Sequence, residues 1–95
     1  MMPPGQNVIV RIEIDLQGVM DSGVIIMPGV TTVDDVKDMI KGQMLIERRM
    51  MRASYWNENY TMWMHARNIA TLDTMSFMGV VHLTIVDSAF VVGGG

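Results

Sequence analysis

The side chains best suited to proton transfer or metal ligation near neutral pH are His65 and His82. Neither stands beside a carboxylate pair or at the spacing of a metal-ligand motif. Both therefore read as ordinary surface or core histidines, and neither a catalytic residue nor a metal site is expected. With no cysteine in the chain, no thiolate zinc site, cysteine nucleophile or disulfide framework is available. Asp34, Asp35 and Asp38 form an acidic cluster. The positive end of a helix dipole explains it, and the glycine and terminal glutamate of a calcium loop are missing. The chemistry left stands at the end of the chain, Gly93-Gly94-Gly95. Glycines have no side chain and bend freely, so such an end can thread a narrow channel and carry its carboxylate to a nucleotide or a thiol.

These groups need a scaffold. Val8, Val10, Ile12, Ile14 and Leu16 alternate with Ile9, Arg11, Glu13 and Asp15, which predicts a strand over Val8–Leu16 with one buried face. Gln17–Gly23 has turn composition, and Val24–Met27 reads as a second, antiparallel strand. Thr31 or Thr32 then opens a helix with Asp34 and Asp35 in its first turn. Val33, Val36, Ile40 and Met44 make the buried stripe, with Lys37, Asp38 and Lys41 on the opposite side. Gly42 either ends this helix or weakens it. Ala53–Asn59 reads as a loop, Tyr60–His65 as a third strand and Arg67-Asn68 as a turn. Thr71–Met78 is ambiguous, a single helical turn opened by Thr71 with Leu72, Met75 and Phe77 being one reading, and Val80–Val86 is the last strand.

The 95 residues make one domain, with 49% hydrophobic and 18% charged residues. At a net charge of −3, with no Lys/Arg-rich run, a nucleic-acid partner is not expected. No apolar run approaches the about 20 residues that span a membrane, and no signal peptide is expected at the N-terminus. Residues 1–7 read as a flexible lead, 8–86 as the domain with an extended helix or insertion at 42–59, and 87–95 as a tail.

The order strand, strand, helix, strand, short turn, strand, with a glycine end, resembles the ubiquitin-like β-grasp family. Thr32-Val33-Asp34-Asp35-Val36-Lys37-Asp38-Met39-Ile40 is similar to the start of the family's helix. Met62-Trp63-Met64 before a short turn, Thr71-Leu72-Asp73-Thr74-Met75 and Val81-His82-Leu83 are similar to its later elements. The resemblance implies an α+β chain with a mixed four- to five-stranded sheet and one main helix packed across one face. It departs from the family in a longer stretch before the third strand and in a tail, Ser88-Ala89-Phe90-Val91-Val92, without arginine.

The resemblance implies a protein modifier or interaction module rather than an enzyme, with no cofactor. As a modifier it would be joined to a target lysine through the carboxylate of Gly94 or Gly95 by activating and conjugating enzymes. As a sulfur carrier it would bear a thiocarboxylate there; as a non-conjugated adaptor it would use its surface alone. Trp63, His82 and Thr84 resemble in position the family's main partner-binding patch, on the open face of the sheet. Met50 and Met51, with Arg48, Arg49 and Arg52, are expected to form a second, amphipathic contact surface. Lys37 and Lys41, the only lysines, are the available acceptors for chain growth, because Arg67 stands where the family has its most familiar one. Proteins are the expected partners, and a cytoplasmic or nuclear monomer is the expected form.

Overall fold

A computed structural model describes residues 6–88. The tail glycines Gly94 and Gly95 and most of the expected lead lie outside the described residues. Strand β1 runs over Asn7–Leu16 and β2 over Val19–Pro28, in an unbroken antiparallel register from Asn7↔Pro28 to Leu16↔Val19. The turn between them is only Gln17-Gly18, both at positive φ (51° and 81°). Such a two-residue turn matches the twist of the strands it joins. The second strand thus begins well before the expected Val24, because glycine at the second turn position lets the chain reverse at once.

Helix α1, Val33–Met44, starts as expected. The Thr32 hydroxyl accepts from the Asp35 amide at 3.1 Å, and the Asp35 carboxylate accepts from the Thr32 amide at 3.1 Å. This reciprocal box satisfies two donors that the first turn would otherwise leave bare. Gly42 lies within the helix, and Leu45, at φ 59°, closes it by donating its amide to Lys41. A 3-10 turn at Arg48–Met50 follows, then β3, Met51–Asn57. Residues 42–59 are therefore neither a long helix nor an insertion with a loop, but a helix end, a turn and a strand. Met51, Ala53 and Tyr55 alternate with Arg52, Ser54 and Trp56, the period of a strand with one buried face.

The expected third strand is the fourth: β4, Met62–His65, pairs antiparallel with β3. Helix α2, Leu72–Met75, opens at Thr71, in line with the helical reading of that stretch. Strand β5, Val80–Asp87, lies between β1, to which it is parallel, and β3, to which it is antiparallel. The five strands run β2-β1-β5-β3-β4 in one mixed sheet.

One face of this sheet, with α1 and α2, encloses the core. Val8, Val10, Ile12 and Leu16 of β1 and Val81, Leu83 and Ile85 of β5 meet Val33, Val36 and Ile40 of α1 and Leu72 and Met75 of α2. Two expectations fail here. Met51 is 3% exposed and belongs to the core, and Met50 is half-buried against it, so these methionines form no exposed contact surface. The strand's alternation turns Met51 inward with Ala53, and its unbranched thioether joins the core cluster. Lys37 is not on the polar side of α1 either. It is 5% exposed and donates from Nζ to Asn68 Oδ1 at 2.7 Å.

Candidate functional site

Among the described residues, no element covers the other face of the sheet. The registers place Ser22, Glu13, Thr84, Ser54 and His65 in one row across all five strands. This polar row crosses the middle of the face. On one side of it stand Val24, Arg11 and His82, then Ile26, Ile9 and Val80. On the other stand Met20, Asp15, Val86 and Arg52.

Trp63 and His82 come together on this face, although one belongs to β4 and the other to β5. Their rings meet edge to face, with centroids 4.9 Å apart and planes at 72°. Trp56, opposite Trp63 in the β3–β4 register, meets it in the same way at 5.5 Å and 71°. Edge-to-face contacts suit the ring quadrupoles and fix the orientation of each ring. His82 Nε2 also contacts a carboxylate oxygen of Glu13 on β1. Beside the cluster lies an open cleft of about 250 Å³ lined by Arg11, Trp56, Glu58, Phe77, Val80 and His82. Trp63 stays 42% exposed and Phe77 of the cleft is exposed too; Val24 and Ile26 are exposed at the far margin on β2, with Arg11 and His82 between Val24 and the tryptophans. Thr84 is half-buried and donates from Oγ1 to the Ser54 carbonyl at 3.4 Å, so it serves the sheet more than the surface.

Trp56 and Glu13 were missing from the sequence expectation. The signal for Trp56 was the alternation over Met51–Trp56, masked by the Ser and Asn residues that suggested a loop. Glu13 depends on the β1–β5 pairing, which local sequence does not encode.

The lysines are positioned unequally. Lys41 is exposed, with Glu47 at 3.7 Å. Burial holds the Lys37 ammonium below the ordinary lysine value, partly offset by Asp34. Arg48 bridges from the 3-10 turn to Asp34 and to Asp38 of α1, and the Asp34 carboxylate holds its guanidinium above the ordinary value. The acidic cluster is thus engaged in capping and ion pairs. Among the described residues, no group of three His, Cys, Asp or Glu side chains could hold a metal ion.

No protein-family model and no curated protein matches the chain by sequence. Solved structures do match by shape. The C-terminal ubiquitin-like domain of mouse tubulin-specific chaperone e is similar at a TM-score of 0.64 and 15% identity, over 86% of this chain and 89% of that one. The ubiquitin-like domain of tubulin-binding cofactor B is similar at a TM-score of 0.61 and 14% identity, over 95% and 98%. Caldiarchaeum subterraneum ubiquitin is similar at a TM-score of 0.59 and 12% identity, over 83% and 92%. The chain has a ubiquitin-like β-grasp fold. In this ubiquitin-like domain the aromatic cluster lies on the sheet face opposite α1.

Proposed function

We propose that this ubiquitin-like domain is a protein-interaction module, and not an enzyme, that binds partner proteins through the open sheet face around Trp63 and His82. The observation that carries the reading is the Trp56–Trp63–His82 cluster, held in fixed orientation yet open to solvent. An exposed aromatic that is already ordered loses little entropy on binding and buries a large area. Folds of this kind commonly serve protein–protein interaction, and similar chains include the ubiquitin-like domains of two tubulin-related proteins. The reading includes cytoplasmic or nuclear residence, which rests on the resemblance alone. Its test is affinity capture of partners by the wild-type protein and by Trp63→Ala. Partners retained by the first and lost by the second support it.

A second reading, a modifier joined through Gly94 or Gly95, rests on the glycine end and on the similarity to an archaeal ubiquitin. Lys41, exposed, suits chain growth better than the buried Lys37. Mass spectrometry of the protein from its native cells separates the outcomes. High-mass adducts lost on deleting Gly93–Gly95 support the modifier. An oxygen-to-sulfur exchange at the terminus supports a sulfur carrier instead.

A further inference from the structure

Among the described residues, strand β2 forms one margin of the sheet and pairs with β1 alone. Natural sheets guard such margins with lysines, prolines, bulges or short strands. The opposite margin, β4, is four residues long. By contrast β2 has ten residues, and its ten pairs with β1 follow one another without a bulge. Its only charge is Asp21, and its only proline, Pro28, stands at its end. Met20, Val24 and Ile26 are 80%, 65% and 69% exposed.

The two-residue turn sets which backbone groups of β2 are available. In such a hairpin the closing pair, Leu16↔Val19, exchanges both hydrogen bonds, and every second pair beyond it does the same. Asp21, Gly23, Ile25 and Met27 therefore bond β1, and the amides and carbonyls of Met20, Ser22, Val24 and Ile26 point outward. The Ser22 amide agrees, since it donates to the Asp21 carboxylate at 2.9 Å rather than to β1.

We propose that β2 pairs antiparallel with β2 of a second copy of this chain, about a two-fold axis at Gly23. This goes beyond the face reading above and does not depend on it. A two-fold axis at Gly23 brings each outward position of the strand opposite an outward position of its copy. The outward-pointing residues are symmetric about Gly23, so Met20 pairs with the other copy's Ile26 and Ser22 with its Val24. Met20 and Ile26 exchange two hydrogen bonds, and Ser22 and Val24 do so once the Ser22 amide turns from the Asp21 carboxylate to the other copy's Val24 carbonyl; each pair joins side chains on the open face. At the axis two glycines meet, with open space around them. The two Asp21 carboxylates stand four strand positions apart, roughly 13 Å at about 3.3 Å per residue. That exceeds the screening length of about 8 Å at physiological salt, so the only charges on the paired strands barely repel. A two-fold contact of this kind is closed, giving dimers and not fibres.

Because two strands bury little area, the dimer is weak and concentration-dependent. Sedimentation equilibrium of the full chain from about 10 μM to about 1 mM, the range of weak association, tests it. The expected result is a mass rising from 10.6 kDa toward twice that value. Hydrogen exchange at the Val24 and Ile26 amides is expected to slow over the same range. Val24→Pro removes an outward amide and leaves the β1 pairing in place, and should weaken association at least tenfold. Ser22→Lys guards the margin without touching the backbone, and should do the same, so the test survives misfolding of either variant. A mass fixed at that of the monomer overturns the proposal. So does association that leaves the Val24 and Ile26 amides unprotected, or that a folded variant retains. Protection that appears only with a foreign extended peptide also overturns it.

Discussion

Trp63 gains its order from neighbours on two other strands, so removing it should separate binding from folding. It is 42% exposed, and Trp63→Ala is expected to cost stability only about 1 kcal/mol, the lost ring contacts. Loss of a central aromatic anchor costs binding about 2 kcal/mol or more, so affinity for captured partners should fall at least tenfold. Urea unfolding and binding isotherms on the same preparation check both. Lys37 makes the opposite case, a charged residue acting inside the fold. It is buried, and Lys37→Met removes its bond to Asn68 Oδ1. Burial lowers its folded-state affinity for a proton below that of the unfolded chain, whose ordinary value is 10.5. Its stabilising contribution is therefore complete above about 10.5 and is lost as pH falls through the lowered folded value. Unfolding measured across alkaline pH should show a rise for the wild type that Lys37→Met lacks.

The elements differ in how much of each was written locally. β1, the start of α1, the turn of α2 and β5 follow from alternation, a threonine cap and helical spacing, and all were legible in the sequence. Thr32→Ala should cost about 1 kcal/mol in urea unfolding, the usual worth of such a cap. The Asp35 carboxylate is held below its ordinary value by the Thr32 amide and hydroxyl. The cap's contribution is thus present above the unfolded value of 3.8 and lost as pH falls through the lower folded one. Thr32→Ala should weaken that acid dependence. β3 was not legible as a strand, because Ser54, Asn57 and Asn59 suggest a turn; Asn57 Oδ1 does accept from the Asn59 and Tyr60 amides just after the strand, whereas Ser54 is held by Thr84 of β5, far away in the chain. The same strand decides the methionines. Met51→Ala should cost about 2–5 kcal/mol as a core truncation, whereas Met62→Ala, on a half-exposed side chain, should cost under about 1 kcal/mol. Lys37 was misplaced for a related reason. Helical spacing set it near the edge of the buried stripe, and the loop at Asn68 covers it.

At the scale of the whole molecule, one helix and two short turns cover one face of a five-stranded sheet, and among the described residues none covers the other. The covered face accounts for folding. That second face gathers Trp56, His82, Arg11 and Phe77 around one cleft, with Trp63 against Trp56 and His82, the surface on which the proposed contact rests. The glycine tail poses a separate question: on the modifier reading, deleting Gly93–Gly95 abolishes covalent adducts, and on either reading it leaves binding to the open face unaltered. The most direct measurement is quantitative capture of partner proteins by the wild type, Trp63→Ala and Met62→Ala, with folding of each verified by circular dichroism. The account predicts one set of partners shared by the wild type and Met62→Ala and reduced at least tenfold by Trp63→Ala. Equal retention of every partner by all three proteins would contradict it.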